Sequence, residues 1–197
     1  MMVKVCGITR VEDALASVEA GASAIGFNFY PRSPRYIPPE AAASIAALLP
    51  PQVWKAGIFA GEERDAIERV ARQVGLDIVQ LYGDGSASGF RVWRARCVDA
   101  AFSAASIESE PAEAVLLEAA SEKLLGGTGR TFDWTLARGL RKKIILAGGL
   151  DAGNVREAIR TARPWGVDAS SRLESAPGRK DHAKIRQFVQ AALAETL

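Results

Sequence analysis

Short apolar runs alternate with helical patterns from one end of the chain to the other. Eight of these runs are mostly apolar on both faces, which is typical of parallel strands covered by helices. They are Val3–Ile8, Ala24–Phe29, Trp54–Phe59, Ile78–Leu81, Arg91–Ala95, Ala114–Leu117, Ile144–Ala147 and Gly166–Ala169. The pattern predicts eight short strands in one parallel sheet.

Capping and breaking residues mark predicted helices between these strands. Thr9 is a favourable N-cap for the first helix, and prolines open the second and follow its end. The predicted helices are Val11–Ala20, Pro39–Leu49, Glu62–Val74, Trp134–Leu140, Asn154–Ala162 and Lys180–Ala194. The segment Ala100–Pro111 is either a poor helix or a loop.

This alternation of strands and helices predicts the α/β class and, specifically, a (β/α)₈ barrel. We expect a single catalytic domain over residues 1–197 with short loops, because the chain is near the lower limit of length for this fold. An open flavodoxin-like sheet is the alternative, but it needs only about five strands and leaves the others unexplained.

Composition excludes several classes of function. A net charge of +2 and 24% charged residues do not indicate a surface that binds nucleic acid. No apolar stretch is long enough for a signal peptide or a membrane span. Two cysteines without CxxC spacing predict free thiols and a cytoplasmic location. The single histidine, His182, cannot build a multi-histidine metal site, so no metal is expected.

Candidate chemistry lies at the carboxyl ends of the strands, where barrel enzymes hold their active sites. Cys6 ends the first strand, and Lys4 points to the same face because side chains alternate along a strand. A nearby ammonium lowers the pKa of a thiol, which favours a role as base or nucleophile. The alternative is a buried cysteine that only packs. Cys97 has no acidic or histidine neighbour and is interpreted as structural.

For two charged residues, Asp133 and Arg35, a functional role and a purely structural role are both open. Asp133 lies between Phe132 and Trp134, and desolvation by these rings would raise its pKa and suit it as a general acid. It is also a good N-cap for the helix that follows. Arg35, in a proline-stiffened loop, is either a bidentate partner for a substrate carboxylate or a surface arginine.

Glycine and serine clusters indicate a phosphate site. Gly127 lies in a glycine-rich loop after strand six, Gly148 and Gly149 follow strand seven, and Ser170 and Ser171 follow strand eight. Loops after the last two strands commonly hold phosphate in such barrels, through backbone N–H groups and hydroxyls. A single glycine pair would indicate only a tight turn, but the combination favours phosphate binding.

Taken together, these motifs resemble the phosphoribosylanthranilate isomerases of tryptophan biosynthesis. The resemblance runs from residue 3 to about residue 188, with the motifs in the family's order. The motifs are Lys4-Val5-Cys6-Gly7-Ile8-Thr9, Gly26-Phe27-Asn28-Phe29, Ser33-Pro34-Arg35-Tyr36, Gly126-Gly127-Thr128-Gly129, Phe132-Asp133-Trp134, Leu146-Ala147-Gly148-Gly149-Leu150, Gly166-Val167-Asp168 and Ser170-Ser171.

The resemblance implies a cofactor-free Amadori rearrangement of N-(5-phosphoribosyl)anthranilate to 1-(2-carboxyphenylamino)-1-deoxyribulose 5-phosphate, an aldose–ketose isomerisation. It assigns Cys6 as general base and Asp133 as general acid. It also places Arg35 on the anthranilate carboxylate and Asp168 near the ribose hydroxyls, with phosphate at the loops of Gly149 and Ser170-Ser171.

Three positions depart from the family pattern. Tyr82 stands where the family usually has histidine, Arg172 follows the paired serines in place of glycine, and Glu118 replaces an aspartate at the end of strand six. Two alternatives stay open, and the departures at Tyr82 and Arg172 bear on the second of them. One is a histidine-pathway or dual-substrate phosphosugar isomerase, and the other is a barrel that binds a phosphorylated ligand without catalysis. We expect a phosphorylated small-molecule substrate, no nucleic-acid or membrane partner, and a monomer or homodimer.

Overall fold

The computed structural model describes residues 1–119 and 131–195, and in these ranges the chain forms a closed barrel of parallel strands in sequence order. The first and eighth strands pair with each other, so the sheet has no edge and the open-sheet alternative is wrong. The strands are β1 (Met2–Cys6), β2 (Ala24–Asn28), β3 (Trp54–Ala60), β4 (Ile78–Tyr82), β5 (Arg91–Val98), β6 (Ala114–Ala119), β7 (Lys143–Leu146) and β8 (Gly166–Ala169).

Helices cover the outside of the barrel. They are α1 (Val11–Glu19), α2 (Pro39–Ala46), α3 (Arg64–Val74), α4 (Ala104–Glu108), α5 (Val155–Ala162) and α6 (His182–Ala194). A short antiparallel pair, β9 (Glu174–Ala176) and β10 (Arg179–Lys180), follows the eighth strand. Residues 83–90 join β4 to β5 without a helix, so the expected alternation is broken there.

Each predicted helix differs from the observed element by one to three residues at one end. Two predictions were also wrong in kind, one of an N-cap and one of a helix type, and a long-range contact explains the first. Arg10, not Thr9, is the N-cap of α1, because the Thr9 hydroxyl donates instead to the Gly178 carbonyl oxygen at 2.5 Å. The predicted helix at Trp134–Leu140 is only a 3₁₀ turn over Trp134–Ala137.

The barrel interior changes character from one end to the other. Small and apolar side chains fill the amino-terminal half, with Ala24, Ala56 and Ile78 fully buried beside Trp93. Because strand side chains alternate between the two faces, the same inward direction carries Lys4 and then Cys6 along β1. The carboxyl end of the interior is therefore the polar end, and the functional site lies there.

Three tryptophans close the amino-terminal end. Trp93 lies edge-on to Trp54 and Trp165, with ring centroids 6.2 and 5.9 Å away, and those two stack on each other at 6.0 Å. The Arg91 guanidinium lies 4.3 Å from the centroid of the Trp54 ring and adds a cation–π contact. The tryptophans thus make this end of the barrel a packed core.

Among residues 1–119 and 131–195, no helix has the length and apolar character that crossing a membrane requires.

Replacing Trp93 with alanine tests this packing. Trp93 is fully buried, so the variant should lose about 3–5 kcal/mol of unfolding free energy in urea denaturation. Leu48→Ala is the control, since Leu48 is 57% exposed and its truncation should change stability by less than about 0.5 kcal/mol. Equal losses in the two variants would contradict the assignment of Trp93 to the core.

Candidate active site

One cavity opens at the carboxyl end of the barrel and brings together most of the predicted site residues. These residues come from four strand ends and the loops after them. Those lining the cavity are Cys6, Arg35, Gly148, Gly149, Asp168, Ser170 and Ser171. Gly127 and the rest of its glycine-rich loop lie outside the described residues. The predicted clustering is confirmed for these seven residues, while their individual roles stay predictions.

Cys6 lies at the end of β1 beside a buried ion pair. The Lys4 ammonium is fully buried and lies 3.0 Å from Asp168 Oδ1. Burial alone would lower the pKa of Lys4, but the charge of Asp168 and the neighbouring thiol raise it above its usual value. Burial raises the pKa of the Cys6 thiol, and Lys4 offsets only part of this effect. The predicted ammonium is present, but the net pKa shift of the thiol is opposite to the one we expected.

Glu118 is a buried carboxyl group at the same cavity, on β6. Burial raises its pKa to about 7, although a hydrogen bond from the Tyr82 hydroxyl acts in the opposite direction. Burial and the nearby Glu118 raise the pKa of the Tyr82 phenol well above its usual value, so the phenol stays protonated. Glu118 therefore carries a proton over part of the neutral pH range. In the sequence, Tyr82 and Glu118 stand out only as departures from the family pattern, and nothing there indicates that they are partners.

Cys97 also lies at this end of the barrel. It is directly opposite Glu118 in the register of β5 and β6, and its thiol is exposed. Partial burial and the charge of Glu118 raise its pKa. The structural role of Cys97 stays a prediction, but the expectation that it has no acidic neighbour is wrong.

Asp133 adopts the structural role that its sequence position left open. It is exposed and caps the 3₁₀ turn, accepting hydrogen bonds from the Thr135 backbone N–H at 3.0 Å and the Thr135 hydroxyl at 2.7 Å. These bonds lower the pKa of Asp133, so the predicted raised pKa is wrong. Its neighbours Phe132 and Trp134 do not desolvate the carboxylate. Asp133 is also absent from the described lining of the cavity.

Arg35 enters the cavity wall as part of a charged cluster. Its Nε and Nη2 each donate to a carboxylate oxygen of Glu174 at 2.8 Å. The buried Lys180 ammonium also binds Glu174, at 2.9 Å, and reaches the Ser170 carbonyl oxygen at 3.2 Å. Burial opposes ionisation of Glu174, but the two cations hold its pKa below the usual value. Glu174, which no sequence motif singled out, fixes the direction of the Arg35 guanidinium.

A glycine permits the close approach of Arg35 to the barrel rim. Gly7 has φ +73°, and a Cβ there would lie 2.6 Å from Arg35 Cδ and 3.0 Å from Ser170 Oγ. Such a conformation and such distances favour glycine. Cys6 therefore places the thiol at the rim, and Gly7 beside it leaves room for the Arg35 side chain.

The candidate phosphate loops are fixed by side chains behind them. Gly148 and Gly149 both have positive φ, and the Asn154 amide donates to the Gly149 carbonyl oxygen at 2.8 Å. Arg172 lines the same cavity and pairs with Asp151 at 3.0 Å. Backbone conformation and these supporting contacts thus hold the shape of this part of the rim.

A closed (β/α)₈ barrel with a thiol, a buried carboxyl group and loops rich in glycine and serine around one cavity at its carboxyl end has the architecture of a barrel enzyme. Residues 3–191 match the family model of N-(5'phosphoribosyl)anthranilate (PRA) isomerase, and this chain belongs to that family. N-(5'-phosphoribosyl)anthranilate isomerase of Solibacter usitatus is 48% identical, with 98% of each chain covered.

Solved structures agree in fold and in sequence. Phosphoribosyl anthranilate isomerase from Thermotoga maritima superposes with a TM-score of 0.88 at 40% identity, covering 98% of this chain and 99% of the other. A phosphoribosyl anthranilate isomerase in complex with reduced 1-(o-carboxyphenylamino)-1-deoxyribulose 5-phosphate gives a TM-score of 0.83 at 38% identity with the same coverage. The expected fold and family are both confirmed.

The raised pKa of Glu118 predicts a pH-dependent stability difference. A raised folded-state pKa contributes stability that is complete below about pH 4.5 and is lost as pH rises through about 7. Between pH 4 and pH 8, the unfolding free energy of wild type should therefore fall by roughly 3 kcal/mol relative to that of Glu118→Gln. Urea denaturation across this range measures it.

Asp133→Asn supplies the control for this measurement. Its folded-state pKa is lowered, so its linked stability changes only below the ordinary aspartate range, and its difference from wild type should stay constant from pH 5 to 8. A Glu118→Gln difference that is also constant over that range would contradict the burial assigned to Glu118.

Proposed function

We propose that this chain, as a single catalytic domain, isomerises N-(5-phosphoribosyl)anthranilate to 1-(2-carboxyphenylamino)-1-deoxyribulose 5-phosphate, with Cys6 as base and Glu118 as acid. The observation that carries the proposal is that the thiol and a carboxyl group with a pKa of about 7 line one cavity together with glycine and serine residues suited to bind phosphate. The family supplies the reaction, a step in tryptophan biosynthesis, and the cavity supplies groups suited to its proton transfers.

Different residues of the cavity wall are suited to the two charged ends of the substrate. The phosphate would lie at Gly148, Gly149, Ser170 and Ser171, which offer backbone N–H groups and hydroxyls. The anthranilate carboxylate would bind Arg35, whose Nη1 group makes no hydrogen bond to another described residue while Nε and Nη2 are held by Glu174.

Asp168 is the proposed contact for the ribose hydroxyl groups. Its carboxylate lines the cavity, and one oxygen already accepts from Lys4 at 3.0 Å. A carboxylate can accept several hydrogen bonds, so it can bind a sugar hydroxyl while keeping this ion pair.

The rearrangement needs one proton donated and one removed before the ketose forms. Glu118 gives its proton to the furanose ring oxygen, the C1–O bond breaks, and the nitrogen lone pair forms a Schiff base with C1. The Cys6 thiolate then removes the C2 proton, the C–H electron pair forms the C1=C2 bond of an enol-amine, and the π pair of the C1=N bond returns to nitrogen. Tautomerisation moves a proton to C1 and leaves a carbonyl at C2. No electrons leave the substrate, which is consistent with cofactor-free chemistry.

Glu118 is preferred to Asp133 as the acid because their environments differ. A general acid must hold its proton near the working pH, which a buried carboxyl group does and an exposed N-cap carboxylate does not. Asp133, the acid that the family resemblance assigned, is kept as the alternative donor. The two assignments give different kinetic results.

Substituting each carboxyl group separately distinguishes them. Glu118→Gln and Cys6→Ser should each reduce kcat on the order of 10²–10⁴-fold, the usual contribution of a positioned acid or base, while Asp133→Asn should keep most of the activity. Product formation by purified enzyme measures this. Loss confined to Cys6→Ser and Asp133→Asn would restore Asp133 as the acid, and an active Cys6→Ser variant would remove the thiol from its role.

The pH profile of kcat/KM gives a further signature of Glu118. In the active form Glu118 is protonated and Cys6 is a thiolate, so the two groups together hold one proton. The kcat/KM profile of wild type should therefore be bell-shaped, with an acidic limb near pH 7 and an alkaline limb at the pKa of the thiol. Residual activity of Glu118→Gln should rise with pH through the pKa of the thiol and show no alkaline decline. An unchanged bell in Glu118→Gln would contradict the assignment.

The histidine-pathway alternative is less well supported than the single activity. Cys6 ends β1, where the histidine-pathway barrels are expected to use an aspartate. Turnover of that pathway's aminoaldose by the purified protein would favour the dual-substrate alternative. We further propose a cytoplasmic location and a monomer or homodimer as the working unit.

A further inference from the structure

We propose that Lys4 is a positioning residue that divides its ammonium between Cys6 and Asp168, and that Asp168 thereby controls how readily the thiol loses its proton. The proposal rests on Cys6 as the base of the proposed function. Two further residues contribute, Gly26 as the spacer that lets the groups meet and Glu118 as a neighbouring acid.

The absence of a side chain at Gly26 brings the thiol and the lysine together. Gly26 pairs with Cys6 in the register of β1 and β2. A Cβ built on Gly26 would lie 2.8 Å from Cys6 Sγ and 3.1 Å from Lys4 Cε. Both side chains therefore lie against one point on the inner face of β2, and any larger residue would separate them or move β1.

The Lys4 ammonium has more donors than its carboxylate partner uses. It has three N–H groups, and one of them donates to Asp168 Oδ1 at 3.0 Å. The Cys6 thiol lies beside the same side chain, because Cys6 Sγ and Lys4 Cε approach one point on Gly26. Lys4 is fully buried, so water does not compete for its donors. The ammonium therefore lies near both a carboxylate and the thiol, and its charge favours the thiolate.

The consequence for the thiol follows from the signs of the surrounding charges. Lys4 and the more distant Lys180 favour the thiolate, whereas Asp168 and burial disfavour it. Two acidic groups, Tyr82 and Glu118, also face this cavity, and ionisation of either would oppose a thiolate. Asp168 acts in two ways, by its own charge and by drawing the ammonium away from the sulfur.

Alkylation of Cys6 by iodoacetamide measures the thiolate without any substrate. The rate is followed against pH on the peptide that contains Cys6, which separates it from the exposed Cys97 in mass spectrometry. The variants are Asp168→Asn, Lys4→Met, and the double variant Lys4→Met/Asp168→Asn. The double variant is needed because Lys4→Met alone leaves a buried carboxylate without its cation.

Loss of the Asp168 charge and loss of the Lys4 charge should shift the midpoint of the alkylation profile in opposite directions. Asp168→Asn should lower it relative to wild type. The double variant should lie at least about one pH unit above Asp168→Asn, which corresponds to about tenfold less thiolate at a fixed lower pH. Equal midpoints in Asp168→Asn and the double variant would overturn the role of Lys4, and an unchanged or raised midpoint in Asp168→Asn would overturn that of Asp168.

Gly26→Ala tests the spacer while keeping every charged group. The midpoint of its alkylation profile should rise, as it should when Lys4 is replaced. Gly85→Ala is the control, since a Cβ there would meet only Leu81 at an ordinary 3.8 Å and should leave the midpoint unchanged. A Gly26→Ala midpoint equal to wild type would overturn the role of Gly26 as spacer. An active Cys6→Ser variant would defeat the proposed base, yet the alkylation midpoints would still test Lys4 independently.

Discussion

The ion pair between Lys4 and Asp168 lies where the barrel closes and directly beneath its active site. Lys4 and Asp168 are opposite each other in the register that joins β1 to β8, and the ammonium has no exposed surface. Removing one partner of a buried pair typically costs about 3–5 kcal/mol, because the other charge is left without compensation. The same pair fixes the charge beside Cys6. The pair therefore contributes to the closure of the barrel and, as we propose, to the reactivity of the thiol.

Burial and neighbouring charge decide which carboxyl groups of this chain can hold a proton. Glu118 faces the barrel interior beside Tyr82, and its pKa rises to about 7. Asp133 is exposed and bound to Thr135, and its pKa falls. The Glu174 side chain is buried too, but Arg35 and Lys180 keep it ionised. Glu118 thus differs in protonation state from Asp133 and Glu174 because its neighbours differ.

Local sequence predicted the barrel well and the pKa shifts of its carboxyl groups poorly, and the reason is the range of the interactions involved. Apolar runs and the capping and breaking residues between them are local, so the eight strands could be located from them. The environment of Glu118 depends on Tyr82, which lies on another strand and becomes a neighbour only when the sheet closes. Phe132 and Trp134 flank Asp133 in sequence, yet the carboxylate turns to cap the backbone. The contact of Thr9 with Gly178, 169 residues away, displaced a predicted cap in the same way.

The central claim is that this barrel carries out the isomerisation with the Cys6 thiol. Growth without tryptophan of a strain that lacks phosphoribosylanthranilate isomerase tests it most directly, with wild-type and Cys6→Ser genes expressed at equal protein levels. We predict that wild type restores growth and that Cys6→Ser does not. Failure of the wild-type gene, or full rescue by Cys6→Ser, would contradict the claim.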